Sequence, residues 1–507
     1  MASNLVKNTL VVYIEQAITA VSAFAISALL VRLLSESDYG VYRLMGSVLI
    51  FALYFSSFGL EMSIARFVPE FLSKEGYRNV NKLMSGALLI RGIGLSLIFL
   101  IFVIFGNVIR DLINARVIFD SFLPLIIPYI FFHLINNIIG RALLTGYSQR
   151  YIVGYVNIVS KLSMLALVSY LFLSEQGLAE VIGALALITF IEFLIYLPLF
   201  LSKILHNIKV SSAPAKIPSL FPAKRVTKYS LYNYLFSTGQ IFREYAVDSV
   251  MIAYFMSTVE VAFYGIATVI PTFVRKFSPS RLLSGVLLPG LVKQFETGRS
   301  YKDISRNYIL LQKINLIIML PVIVILYFFV SELILMVYGE AYNSSVQAAR
   351  ILMGFGILHI ASDPFYLISQ AIERSNIIFY STIWGLYNLA ANFVLIPRYG
   401  IEGAALATGS AALGIFIYFT LVYRYLYHIR LSFPWKALGK VLFNMTPIII
   451  SIGVIEYLYI SFMWATILIL FSSIAYLFML TDNKVFDQGE RELLLSKIKI
   501  PILLHFI

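Results

Sequence analysis

The sequence predicts an all-α polytopic membrane protein, and three observations carry that reading. Of its 507 residues, 60% are hydrophobic and only 13% charged, with a mean hydropathy of +0.86, whereas an ordinary soluble domain carries about 25% charged residues. Apolar runs recur along the whole chain at about 20 to 28 residues each, the length a helix needs to cross ~30 Å of hydrocarbon at ~1.5 Å per residue. Lysine and arginine gather in alternate loops. Backbone groups in hydrocarbon must pair internally, which leaves helices or a closed barrel. Barrel strands would be about half as long and would alternate in polarity.

Taken in order, the apolar runs give fourteen spans near residues 8–33, 41–65, 83–109, 117–140, 151–173, 178–202, 229–256, 261–291, 308–337, 346–371, 376–396, 401–427, 438–460 and 461–481. The first is too long for a signal-peptide core and is read as a retained span. Loops on the side of the N-terminus hold nearly all the bases, among them Arg66, Lys74, Arg78 and Lys82, those of 203–228 and 293–306, and those from Arg424 to Lys440. The opposite loops hold Arg110, Arg116 and Arg398. The positive-inside rule then places both termini in the cytoplasm, and the expected location is the plasma membrane. The net charge of +13 marks that face, which removes nucleic acid as a partner.

The chain repeats itself at an offset near 220 residues. Ser37-Asp38-Tyr39-Gly40 follows the first span, and Ala262-Phe263-Tyr264-Gly265 follows the seventh. Each leads into a long helix ending at a proline, Pro69 or Pro289, then a basic loop with Gly76 or Gly298. Gly177 before Gly183-Ala184-Leu185-Ala186 is matched by Gly400 before Gly403-Ala404-Ala405-Leu406-Ala407. Six spans separate equivalent positions, so the copies run the same way through the membrane, as in alternating-access transporters built from parallel repeats. The expected organisation is a six-helix lobe over 1–205, a basic cytoplasmic linker over 206–228, a second six-helix lobe over 229–430, two added helices over 431–481 and a cytoplasmic tail over 482–507. Pro214, Pro218 and Pro222 keep the linker from forming one helix, and its bases suit an anionic leaflet of membrane lipids. Apolar residues in the tail suit a segment lying at the interface.

Several stretches resemble one family. NFVLIPRYGIEGAALATGS from Asn392, SDYGVYRL from Ser37 and ARFVPEFLSKEGY from Ala65, with twelve repeated spans plus two, are similar to the polysaccharide-transporter branch, including O-antigen flippases, of the multidrug/oligosaccharidyl-lipid/polysaccharide exporter superfamily. The resemblance covers nearly the whole chain. It implies two six-helix bundles around a central cavity and, as substrate, a polyprenyl-linked oligosaccharide moved from the cytoplasmic to the outer leaflet. Glycan-assembly enzymes are the partners it implies. Independently of the family, Pro397 ends a span, Gly400 can adopt positive φ, and Gly403, Ala404, Ala405, Ala407 and Gly409 admit a close helix neighbour.

Ionisable residues deep in a span cost roughly 2.5–3.5 kcal/mol each at the centre on insertion scales, so they face a cavity or a partner. The bases at depth are Arg91, Lys161, Arg243, Arg275, Lys276 and Arg281, and the acids Glu15, Glu192, Glu244 and Asp248. The surplus of bases predicts a cationic cavity for a pyrophosphate or an acidic sugar, with arginine forks suited to phosphate. Each base could instead pair locally, Arg243 with Glu244 or Asp248. Glu244 and Asp248, four apart and on one helical face, are candidates for ion coupling, and they keep a cation-coupled drug or metabolite antiporter open as the alternative. There is no cysteine, and His133, His206, His359, His428 and His505 are scattered. No disulfide, iron–sulfur cluster or thiolate zinc site is possible. No catalytic residue, metal or cofactor is expected, and no loop exceeds about 25 residues, which argues against a membrane-embedded glycosyltransferase.

Overall fold

A computed structural model describes residues 2–73, 77–112, 122–141, 147, 149–211, 221–282, 291, 301–372, 374–429 and 431–491. Among the described residues every regular element is helical. Gly76, Arg116, Pro214, Pro218, Pro289, Gly298 and the tail beyond Arg491 lie outside them. The chain forms two compact units, Met1–Gly265 with Asn392–Gly400, and Ile266–Ala391 with Ile401–Ile507.

The first unit contains α1 (Ala2–Leu33), α2 (Glu36–Phe55), α3 (Leu60–Ser73), α4 (Tyr77–Leu112), α5 (Leu123–Arg141), α6 (Arg150–Leu173), α7 (Leu178–Ser211), α8 (Ala223–Ile241), α9 (Tyr245–Phe255) and most of α10 (Thr258–Ala267). Ser35 starts α2 by accepting the Asp38 amide at 3.1 Å, a serine N-cap on an orphan donor. Pro69 lies inside α3 rather than at its end. Ile64 and Phe67 of α3 pack with Met84 of α4, Ile138 of α5 and Phe200 of α7.

The second unit contains α11 (Val269–Lys276), α12 (Pro279–Leu282), α13 (Tyr301–Tyr338), α14 (Ser345–Ala371), α15 (Ser375–Tyr380), α16 (Ile383–Leu421, apart from Asn392–Gly400), α17 (Trp435–Asn444), α18 (Thr446–Leu458) and α19 (Phe462–Asp482). Tyr308 of α13, Phe365 of α14 and Phe419 of α16 share one core. Leu316 and Leu320 of α13 meet Val441, Ile448 and Tyr476 of α17 to α19 in another. Gly409 has no room for a side chain, because a Cβ there would stand 2.1 Å from the Phe355 ring of α14. The residues after α19 dock on the same unit. Phe486 is buried on Leu310, Lys313 donates to Glu490 at 2.7 Å, and Arg306 donates to the Gly489 carbonyl at 2.7 Å. Asp487 and Glu490 exchange reciprocal side-chain-to-amide bonds of 2.7 and 2.9 Å, the geometry of a capping box.

Ten described helices are long and apolar enough to cross a bilayer, twelve if each of two bent pairs is one span. The expected count of fourteen is not reached, for two local reasons. Residues Asn376–Leu426 run on as one 51-residue stretch, with the kink held by Gly400 at φ 57° instead of a full stop at Pro397. The seventh expected span is broken into α8 and an α9 of 11 residues.

Candidate functional site

The charges singled out in the sequence sit mainly where spans break. Between α2 and α3 the chain bends by 49°, with Phe58 and Gly59 at positive φ of 45° and 70°. Arg91 of α4 is fully buried beside this break. Its Nη1 donates to Ser56 Oγ at 2.6 Å and to the Leu53 carbonyl at 3.4 Å, and its Nη2 donates to Glu61. The guanidinium therefore serves a carbonyl at the frayed end of α2 and is matched by a carboxylate. Lys161 of α6 is exposed, with Glu192 of α7 and His133 of α5 near enough to feel its charge. One turn earlier, Asn157 donates to Glu15 of α1 at 2.6 Å, and Glu192 accepts from Asn136 at 3.4 Å.

Arg243 and Glu244 occupy the break between α8 and α9. Tight turn bonds close it: the amides of Arg243 and Glu244 donate to the Gln240 and Ile241 carbonyls, each at 3.0 Å. Glu244 is the N-cap residue of α9 and accepts from Tyr54 at 3.3 Å. Asp248, in the first turn of α9, is buried. It accepts from Tyr264 and from Asn392 Nδ2, both at 2.7 Å. The positive end of the α9 dipole favours both carboxylates. Asn392 Oδ1 is buried without a hydrogen-bond partner.

In the second unit, Pro271 lacks the N–H that would bond the Ala267 carbonyl, and the helix breaks at Thr268, just ahead of α11. Arg275 and Lys276 form the last turn of α11, and Arg281 lies on α12. Arg281 Nε lies 3.0 and 3.1 Å from the two oxygens of Asp363. Ser278 donates to the same carboxylate at 2.9 Å, and Asp363 is buried on α14. Arg275 is close enough to Arg281 for their charges to repel, and its Nε is buried without a hydrogen-bond partner. Lys276 is exposed. Among the described residues this segment gathers three cations, with Asp363 the carboxylate bonded to one of them.

The structure thus brings Arg275, Lys276 and Arg281 together in one unit, and Arg243, Glu244 and Asp248 together in the other. Arg91 and Lys161 stand apart within that other unit, each with a carboxylate nearby. Glu61, Asp363, Tyr264 and Asn392 escape sequence reasoning as site residues. Of these Asn392 has a signal as the polar head of the NFVLIPRYG stretch, and Tyr264 one as a Tyr-Gly landmark of the repeat. Among the described residues no three histidine or acidic side chains gather in a way that could hold a metal ion.

These features define a multi-pass helical membrane protein that stations charge at mid-span breaks. The chain belongs to the polysaccharide biosynthesis protein family, whose profile matches residues 5–289. An uncharacterized membrane protein of Methanocaldococcus jannaschii is 24% identical over 405 residues, covering 76% of this chain and 77% of that one. The fold is that of the lipid II flippase MurJ in an inward closed conformation, with TM-score 0.67 at 16% identity, covering 94% of this chain and 98% of that chain. It is shared with a multidrug resistance MATE family transporter of the MOP superfamily in an inward-facing conformation, with TM-score 0.62 at 12% identity, covering 81% and 96%.

Proposed function

We propose that this chain is a flippase that moves a polyprenyl-linked oligosaccharide from the cytoplasmic to the outer leaflet of the plasma membrane by alternating access. The observation that carries the proposal is the cluster of Arg275, Lys276 and Arg281 around the α11–α12 break, with Asp363 the carboxylate that answers it. Among the described residues the three bases outnumber the one carboxylate bonded to them, and an anion inside the bilayer balances such a surplus. The phosphate of a lipid-linked sugar supplies that anion, and an arginine fork offers it two parallel hydrogen bonds. Family membership and the flippase-like fold support the same reading. The protein acts as a transporter rather than an enzyme, with both termini cytoplasmic, next to the glycan-assembly enzymes that make its substrate. Asp248, with the oxygens of Tyr264 and Asn392 beside it, is the coupling-ion candidate, and Glu244 caps the same helix. A drug antiporter shares the fold, but a pocket for cationic drugs conflicts with the surplus of bases.

Arg275→Gln and Lys276→Gln in proteoliposomes test the proposal. A hydrogen bond to a charged group contributes about 1.5–3 kcal/mol, so each variant should lose about tenfold or more of the flipping rate at wild-type insertion. Arg398→Gln, beside the Gly400 kink of α16 and away from the cluster's three bases, should transport normally. Normal transport by both Arg275→Gln and Lys276→Gln would refute the cationic site.

A further inference from the structure

A second arrangement of bases lies away from that cluster, where α3 and α8 run antiparallel and meet from Phe58–Tyr234 to Phe71–Phe221. Phe58 stacks on Tyr234 at 5.2 Å. The hydroxyls of Ser63 and Ser230 are 2.6 Å apart. Phe67 meets Tyr229 edge-on at 5.4 Å, and Phe71 meets Phe221 at 6.1 Å. Near the base-rich end, Arg225 grips Glu70 with both terminal guanidinium nitrogens, at 2.7 and 3.0 Å. Gly59 completes the seam: a Cβ there would stand 2.1 Å from the Ser230 carbonyl oxygen. Both helices are half-spans with a break at their inner end, α3 behind Phe58–Gly59 and α8 ahead of Phe242–Glu244. Two leaves hinged at one end and zipped along their length form a door, since such breaks can absorb a hinge motion.

The lock on that door has the chemistry of a phosphate site. Arg225 is half exposed and lies 5.2 Å above the Phe67 ring. Arg66 is exposed, sits 5.5 Å over Tyr229 and 5.9 Å over Phe67, and has no carboxylate partner among the described residues. Two guanidiniums thus share one aromatic floor, with Glu70 clasping Arg225, and a phosphate presents the same parallel pair of oxygens that Glu70 offers. We propose that Arg66 and Arg225 capture the phosphate of the incoming lipid-linked substrate at the cytoplasmic face, and that Glu70 is its built-in competitor: the phosphate displaces the direct Arg225–Glu70 clasp and wedges a longer link between the helices, which loosens α3 from α8. This rests on the flippase reading for its substrate class and orientation.

The absence of cysteine from the chain makes the test clean. In full-length Ser63→Cys/Ser230→Cys, purified in detergent, mild oxidation should link the two thiols. Farnesyl diphosphate should slow that reaction several-fold, and farnesol should leave it unchanged. Glu70→Gln should slow it with no ligand present. Arg66→Gln keeps the Arg225–Glu70 lock, so its unliganded rate should hold while its response to farnesyl diphosphate shrinks. Maleimide labelling of Ser230→Cys alone reads the same opening should the pair not reach disulfide geometry. Linking or labelling equally fast with and without farnesyl diphosphate overturns the capture site, and an undiminished response in Arg66→Gln/Arg225→Gln overturns its assignment to these arginines. A protein that responds as expected yet flips no lipid-linked sugar keeps the phosphate site and refutes only the transport reading.

Discussion

Arg91 shows what a single charged residue does inside this fold. Its depth in an apolar helix gives it the same sequence signature as Arg275, yet the two meet different surroundings. Both keep a buried Nε with no acceptor, but Arg91 is buried against Glu61 and Ser56, while Arg275 stands beside the like charge of Arg281. Nothing in residue type or spacing distinguishes them. Glu61 stands 30 residues from Arg91, and Asp363 stands 82 from Arg281, so neither pairing follows a helical period. Glu61 reaches Arg91 because α3 packs back against α4. Breaking a buried ion pair from one side strands the other charge and costs about 3–5 kcal/mol, whereas removing both partners is often close to neutral. Glu61→Gln and Arg91→Gln should each lower the melting temperature of the purified protein strongly, and the double variant should melt above the Glu61→Gln single. A double variant that melts as low as the sum of the two losses would show that Arg91 and Glu61 act separately.

At the scale of elements, most spans are legible because a run of apolar residues has one solution in a bilayer. Breaks are legible only where proline or glycine marks them. Pro271 and Gly400 announce theirs, but the break at Phe242–Glu244 is made by three ordinary residues and reads as continuous helix. Proline also leaves consequences that the sequence hides. Pro364 sits inside α14 and gives no N–H to the Ile360 carbonyl four residues back. Asn315 of α13 donates to that carbonyl at 3.1 Å, and Gln312 donates to the neighbouring Ala361 carbonyl at 2.6 Å. The two amides, three residues apart on one face, are fitted to the gap that the proline opens. Polar contacts between membrane helices average about 0.6 kcal/mol and reach about 1.7. Asn315→Leu should therefore destabilise the wild-type protein by about 1 kcal/mol. It should cost clearly less in a Pro364→Ala background, where the helix bonds its own carbonyl. A double-mutant cycle on unfolding in detergent measures the difference, and equal costs in both backgrounds would show that the amide serves something other than the proline gap.

For the whole molecule, the repeat visible as letters has a physical meaning at one crossing. Tyr39 and Tyr264 are fully buried, and each is followed by a glycine that admits the other copy. A Cβ on Gly40 would lie 1.8 Å from the Thr258 carbonyl oxygen, and one on Gly265 would lie 2.6 Å from Arg43 Nε. The Tyr-Gly landmarks are therefore close-approach points between α2 and α10, which their spacing alone does not reveal. The same repeat requires an odd number of crossings between 208 and 342, and the broken seventh span decides whether that holds. α9, at 11 residues, is only ~16 Å long and cannot cross ~30 Å of hydrocarbon by itself. α8 carries Lys224, Arg225 and Lys228 in its first two turns, which fixes that end at the base-rich face. The pair crosses only if α8 descends into the bilayer and α9 completes the passage. With that crossing, the α10–α12 segment and α13 bring Tyr342 to the face opposite Ile208. Reporter fusions after Ile208 and after Tyr342 should then give opposite signals, cytoplasmic at Ile208 and external at Tyr342. Matching signals would mean that the broken span turns back, and with it would fall the parallel arrangement of the two repeats.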